Sequence, residues 1–457
     1  MKTNGGYRLL FTTLPTNDLG LLVRSVPIAL ELGKKGHEIL FSSPGRAPSK
    51  LLNDVGFTNI KPIHPLYEMS SEALRPRGFL RLLRSKKLME RHGGRWRFLA
   101  RLLRAIPLRF APAVPEIWSM DHLAAIAGLM NANFVHANCD AYMKLVKDAA
   151  PDAIVDFWNP FACVAARKLG LPLVTVNQAD AHPESRGFIW WKEPSAAPPT
   201  TVPAMNKVLR KFRLGEIRKL EDLSIGDLTL IVGSPETDPL PESADVTYVG
   251  PILWQKEGEQ TPAWFDQLPT DKPVVWLYPG NPRYSARGSI WDSEVIIEAS
   301  IEALKDQNLA VVLSMGYQLI PDKYLPLPKN FFHTEYVPGL IMAQRCDLMI
   351  HHGGYGSCQT GLFTATPAVI IPTFSERESN ARRVADAGAG ELLIPTLSKH
   401  GRKSVEPMAL LQLVLRVLHD SSYMENAIRC GEYLKRAGNV ESTASLIENF
   451  LRGRLAG

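Results

Sequence analysis

The stretch best suited to chemistry is His351-His352-Gly353-Gly354-Tyr355-Gly356-Ser357, which follows an apolar run at residues 348–350. Glycines let a backbone come close to a ligand. Where a helix begins just after such a loop, its first N–H groups lack partners and carry the positive end of the helix dipole. Strand, glycine loop and helix start in that order form a site for a diphosphate. Ser357 adds a hydroxyl and His352 a ring N–H. A second polar group, Glu376, Arg377 and Asn380, follows the apolar run 369–371. Parallel strands would bring it to the same rim, where it can grip another part of the ligand. The plainer alternative is a turn that only lets strand and helix pack. Two acidic residues elsewhere have plain structural readings. Asp18 lies in the turn-rich loop 15–20, just before a helical pattern, and fits a helix cap. Asp156 ends the apolar run 153–156 and also fits a strand-end turn.

These residues need a scaffold. The chain has 457 residues, 45% hydrophobic and 21% charged, the composition of an ordinary globular protein of several domains. That excludes disorder, collagen and coiled coils. Five cysteines occur without a C-x-x-C pair, which argues against a disulfide scaffold or a cysteine zinc site and for a reducing, cytoplasmic setting. No apolar run reaches the roughly 18–20 residues that span a bilayer. The N-terminal apolar stretch is too short for a signal-peptide core.

Apolar runs at 7–14, 38–43, 153–156, 173–176 and 228–233 alternate with helical patterns at 22–32 and 160–169. A second series of runs lies at 274–278, 309–314, 331–335, 348–350 and 368–371. This β-α-β rhythm implies parallel sheets. A segment rich in Pro, Glu, Asp and Gly, residues 236–262, reads as the joint between two α/β domains, 1–235 and 263–435. Ligands of such sheets bind outside the carboxyl ends of the strands, here in a cleft at the joint.

The motifs resemble those of the UDP-glycosyltransferase type of nucleotide-sugar glycosyltransferases, which have the GT-B fold of two facing Rossmann-like domains. The chain reads HGGYGS at 352–357, TPAVIIP at 366–372 and ERESNA at 376–381, each similar to a step of that family's donor-site pattern. Weaker likenesses are YVP at 336–338, VGP at 249–251, GHEILF at 36–41 and residues 154–172. The resemblance implies that the loop from His352 through Gly354, Tyr355 and Gly356 to Ser357 holds the diphosphate. It implies that Gly280 lets a second loop approach, that Tyr336 stacks on the base and that Val337 contacts it through its backbone. Glu376 would accept from sugar hydroxyls and Asn380 would order the loop. The donor would be a UDP- or dTDP-sugar, the transfer inverting and without a metal or other cofactor. The acceptor would be a hydrophobic or amphipathic small molecule or lipid. The final helix, 436–457, would pack back on the first domain.

The chain departs from that family at three places. The general-base histidine falls at Leu21, which cannot take a proton, while the acid that orients it matches Asp156; Asp18 is then the nearest substitute base. The glutamine after the acid is Arg377, which offers only donors and a fixed charge. It suits a carboxylated sugar, or it turns outward to pair with Glu376 or Glu378. A ribose-binding glutamate falls at Thr360 and a base-contacting glutamine at Gly339. Loss of the histidine leaves two rival readings, a non-catalytic nucleotide-sugar-binding protein and a nucleotide-sugar epimerase.

Residues 75–109 carry twelve Lys/Arg against Glu90, a net +11 in a chain of +6, so the remainder is +6 − 11 = −5. Within 79–110 the basic residues interleave with Leu, Phe and Trp in two pieces split by Gly93-Gly94. A basic amphipathic helix pair fits peripheral contact with a membrane surface, or a solvated arm over the first domain. No nucleic-acid motif accompanies the charge, so nucleic acid is not expected as a partner.

Overall fold

The computed structural model describes residues 6–15, 19–62, 78–105, 116–256, 258–280, 294–316, 319–398 and 403–455. Its core is two parallel sheets. The first contains β1 (Arg8–Thr13), β2 (Glu38–Ser42), β3 (Thr58–Asn59), β4 (Ala153–Phe157), β5 (Leu173–Asn177), β6 (Leu228–Ile231) and β7 (Thr247–Tyr248). They stand in the order β3-β2-β1-β4-β5-β6-β7. The second contains β8 (Val274–Tyr278), β9 (Ala310–Ser314), β10 (Phe331–Thr334), β11 (Leu348–His351), β12 (Ala368–Ile370) and β13 (Gly390–Leu392). Their order is β10-β9-β8-β11-β12-β13.

The apolar runs become strands because both sheet faces are covered. Leu10 and Ile154 face one helical layer while Leu9, Phe11 and Val155 face the other. Val274 and Trp276 part in the same way from Val275 and Leu277. This alternation is the two-residue period of a strand buried on both sides. Strand order reverses between β1 and β4 in one sheet and between β8 and β11 in the other. These are the topological switch points at which α/β sheets open a crevice for ligands.

The expected runs differ from the observed strands by a residue or two at their ends. Strands β3, β7 and β13 carried no signal, because two or three residues on a sheet edge cannot show a period. Strand β7 lies inside the segment read as the interdomain joint and pairs with β6, so the first domain's sheet reaches further along the chain than the composition implied. The C-terminal helix, Val440–Leu455, buries Ala444, Ile447 and Leu451 in the apolar layer that also contains Val26 and Ala29 of the first domain. Glu448 on that helix accepts from Lys35 Nζ at 3.1 Å. No helix among the described residues is long and apolar enough to cross a membrane.

Candidate active site

Strand β11 delivers the glycine loop. His351, at its end, is fully buried and its Nδ1 accepts the Gly353 N–H at 3.1 Å. Burial pushes this ring's pKa down to about 3, so the imidazole stays neutral and braces the loop from within. Gly353 has φ +82°, and a Cβ there would lie 2.6 Å from the Arg377 carbonyl oxygen. Both facts require glycine. On the other side, Asn380 Nδ2 donates to the Gly353 carbonyl at 3.0 Å. The helix Tyr355–Phe363 then starts at Gly354 with no side-chain cap. Gly356 is exposed and Gly354 and Ser357 are half-buried. The Ser357 N–H bonds back to the Gly354 carbonyl at 2.9 Å, while those of Tyr355 and Gly356 belong to this partly exposed first turn, where an anion can approach.

His352 sits beside them, 9% exposed. Its ring is held between two glycines. A Cβ on Gly280 would come within 3.1 Å of the ring, and one on Gly354 within 2.5 Å of Nε2. The ring meets Tyr278 edge-on at 5.7 Å. Its Nδ1 has no hydrogen-bond partner among the described residues. Burial, then the Arg377 charge, then His351 hold its pKa well below the usual imidazole range. His352 is thus neutral and offers one N–H. Gly280 follows β8, the neighbour of β11, so both elements meet at the switch point.

The next rim element is the helix Ser375–Asp386. Glu376 accepts from Asn380 Nδ2 at 2.9 Å and from Gln178 Nε2 of the first domain at 3.3 Å. Burial raises its pKa against these hydrogen bonds. Arg377 donates to Thr373 Oγ1 at 2.7 Å, while Glu378 is taken by Arg382 at 2.8 Å. The Arg377 charge stays close enough to lower the pKa of His352 and to oppose the rise in that of Glu376. Tyr336 is half-buried and its hydroxyl donates to Glu259 at 2.5 Å. Val337 is buried in the layer containing Trp276.

One face of the Ser375–Asp386 helix packs on the first domain. Ser375 Oγ accepts the Ile117 N–H at 2.9 Å, and Ser379 Oγ accepts the Trp190 indole N–H at 3.0 Å. Arg382 lies over the Trp191 ring at 4.2 Å. Arg383 pairs with Asp180 and, at 3.3 Å, with Asp238. Both aspartates are 1% exposed. Tyr355 donates to the Val232 carbonyl at 2.6 Å under Arg24. Sequence reasoning missed Arg24, Gln178, Asp180, Asp238 and Arg383. A signal existed for three of them. Gln178 and Asp180 follow β5 as Glu376 follows β12, and Arg383 is seven residues from Glu376, on the same face of the helix.

Asp18 is outside the described residues. The helix Leu22–Lys34 has Leu21 as its N-cap residue, without a side-chain cap. Asp156 is 1% exposed. Its carboxylate accepts from Thr12 Oγ1, from the Asn159 N–H at 3.0 Å and from Cys163 Sγ at 3.3 Å. With these donors in place it ties the ends of β1 and β4 together. Just beyond, Trp158 has φ 64°. It packs in an apolar cluster of Ile117, Met120, Phe188 and Ile189, flanked by Leu21 and by Phe374 of the second domain.

Burial, opposed by Thr12, Asn159 and Cys163, pushes the Asp156 carboxyl up to about 7. Between about pH 4 and 7 the folded chain keeps a proton that the unfolded chain has released. The associated stability is fully present below about pH 4 and lost as pH rises toward 7. Across that window the wild type is expected to lose up to about 1.4 kcal/mol per pH unit more in denaturant unfolding than Asp156→Asn does. Equal slopes in both proteins would refute the assignment.

Residues 298–439 match the family model described as the C-terminal domain of erythromycin biosynthesis protein CIII-like proteins. The chain is 30% identical over 237 residues to the uncharacterized UDP-glucosyltransferase YojK of Bacillus subtilis (strain 168), covering 51% of this chain and 54% of that one. It is 27% identical over 314 residues to the NDP-glycosyltransferase YjiC of the same organism, covering 68% and 75%. The stretch matched in the first of these thus spans about half of the relative's length. Among solved structures, the calicheamicin glycosyltransferase CalG4 superposes with a TM-score of 0.68 at 19% identity, covering 99% of this chain and 100% of that one. That likeness speaks to the fold. With two switch-point sheets and these likenesses, the chain has the GT-B fold and is similar to nucleotide-sugar glycosyltransferases.

Proposed function

We propose that this protein transfers a sugar from a UDP- or dTDP-sugar to a hydroxyl on a hydrophobic or amphipathic acceptor, with inversion at the anomeric carbon. The acceptor oxygen attacks that carbon and gives up its proton. The bond from the carbon to the diphosphate oxygen breaks, and the electron pair leaves with the nucleoside diphosphate. The observation that carries the reading is the uncapped helix start at Gly354–Ser357, open at the surface beside a neutral, sterically fixed His352. Its amides, the His352 N–H and the Arg377 charge would stabilise the leaving diphosphate. Tyr336 and Val337 would receive the base, and Glu376 the sugar hydroxyls. Asp18 would take the acceptor proton, while Asp156 acts as a positioning residue through Thr12 and Asn159. The apolar cluster around Trp158 supports a hydrophobic acceptor. Five free, buried cysteines are in keeping with a reducing, cytoplasmic setting.

The test is calorimetric titration with UDP and dTDP, followed by product analysis with each sugar donor. One of the two nucleotides should bind, and at about 100 times its Kd add about 2.7 kcal/mol of stability. The donor should turn over only when an apolar hydroxylic acceptor is present. Binding without turnover favours the auxiliary-protein reading, and donor isomerisation without acceptor favours the epimerase. Absence of nucleotide binding refutes all three.

A further inference from the structure

The basic segment folds as three helices, Gly78–Arg84, Lys86–Arg91 and Arg95–Ala105. The extra break falls at Ser85, whose hydroxyl caps the second helix by accepting the Leu88 N–H at 3.3 Å. Gly93 and Gly94, both at positive φ, turn the chain into the third. Leu82, Phe98 and Leu102 are buried together and form a small core that joins the helices.

The third helix has a second apolar stripe that this core does not use. Trp96 is 81% exposed, the most exposed large apolar side chain among the described residues, and Leu103 is 71% exposed. Seven residues apart, they stand on one line of the helix, away from Phe98 and Leu102. Exposed Arg95 and Arg97 flank Trp96, and exposed Lys86 and Lys87 lie on the preceding helix. Outside residues 75–109 the chain is net negative, so positive charge is concentrated where the apolar groups protrude. Large apolar tips among cations match a layer that is anionic at its surface and apolar beneath. A nucleic acid would use the charge but not the line of Trp96 and Leu103.

We propose that this face docks on an anionic lipid bilayer, with Trp96 and Leu103 entering the interface and the surrounding Lys and Arg lying at the headgroups. Such docking would hold the enzyme at the surface where an amphipathic acceptor collects, and it does not depend on donor binding. The test is sedimentation of the full chain with vesicles of phosphatidylcholine alone and of equal phosphatidylcholine and phosphatidylglycerol. Binding should be at least about tenfold stronger to the anionic vesicles and weaken steeply with added salt. Trp96→Ala with Leu103→Ala, and separately Arg95→Glu with Arg97→Glu, should each lower it about tenfold. All four positions are exposed, so both variants should keep the wild-type unfolding midpoint and nucleotide affinity. Equal binding to both vesicle types, or undiminished binding by both variants, overturns the proposal. So does tight binding to single-stranded RNA with no vesicle binding.

Discussion

Arg383→Met is expected to cost about 3–5 kcal/mol of stability, the usual result of leaving buried charge unpaired. Arg383 reaches from the second domain into a pocket of the first, where Asp180 and Asp238 meet its guanidinium. Ser379 Oγ donates to Asp180 at 2.8 Å, and Thr237 Oγ1 donates to Asp238 at 2.7 Å. Those bonds remain in the variant, but no cation does. Burial already raises both carboxyl pKa values, with Arg383 as the main opposing influence. Its removal should raise them further. Protonation then relieves the variant at low pH, so the loss should be larger at pH 8 than at pH 5. Denaturant unfolding at the two values measures this. A loss below about 1 kcal/mol, or one independent of pH, would show that the contact is no more than a surface ion pair. Asp180→Asn in the Arg383→Met background should cost less than in the wild type, because one buried charge is gone.

Gly356→Ala is expected to separate stability from binding. A Cβ at this position meets nothing within 4 Å, and Gly356 lies within the Tyr355–Phe363 helix. Alanine should therefore stabilise the fold by up to about 1 kcal/mol. The added methyl group nevertheless stands at the exposed helix start, where a phosphate oxygen must approach the amides to about 3 Å. Affinity for UDP or dTDP should fall at least about tenfold, about 1.4 kcal/mol. Gly33→Ala is the control. Gly33 is exposed in the Leu22–Lys34 helix with the same open space around its Cβ position, so it should share the gain and keep the affinity. Unchanged nucleotide binding in Gly356→Ala would remove the helix start from the site and with it the proposed donor role.

Much of this architecture was legible because its causes are local. The runs that became β1, β4, β8 and β11 are apolar at consecutive positions, which only strands buried on both faces require. The glycine loop announced itself through residue types that a close-approaching backbone needs, while the part of Asn380 in ordering it came from the resemblance of 376–381 to a family step, since Asn380 and Gly353 are 27 residues apart. Short edges such as β7 were illegible, since two residues, Thr247 and Tyr248, have no period. The second break in the basic segment was missed because a single serine cap at Ser85 leaves the spacing of apolar residues nearly undisturbed.

The fold class, the phosphate-suited loop and the concentration of positive charge were determined by the sequence by itself, through periodicity, glycine placement and composition. Only the tertiary structure decided what the polar residues are paired with. Arg383 meets Asp180 and Asp238 across separations of 203 and 145 residues. Asp156 is consumed by Thr12 from a neighbouring strand 144 residues away. A hydrogen bond or ion pair depends on distance and direction in space. Strand order sets both, and nothing in the local pattern of a helix or loop records which distant carboxylate will be folded against it.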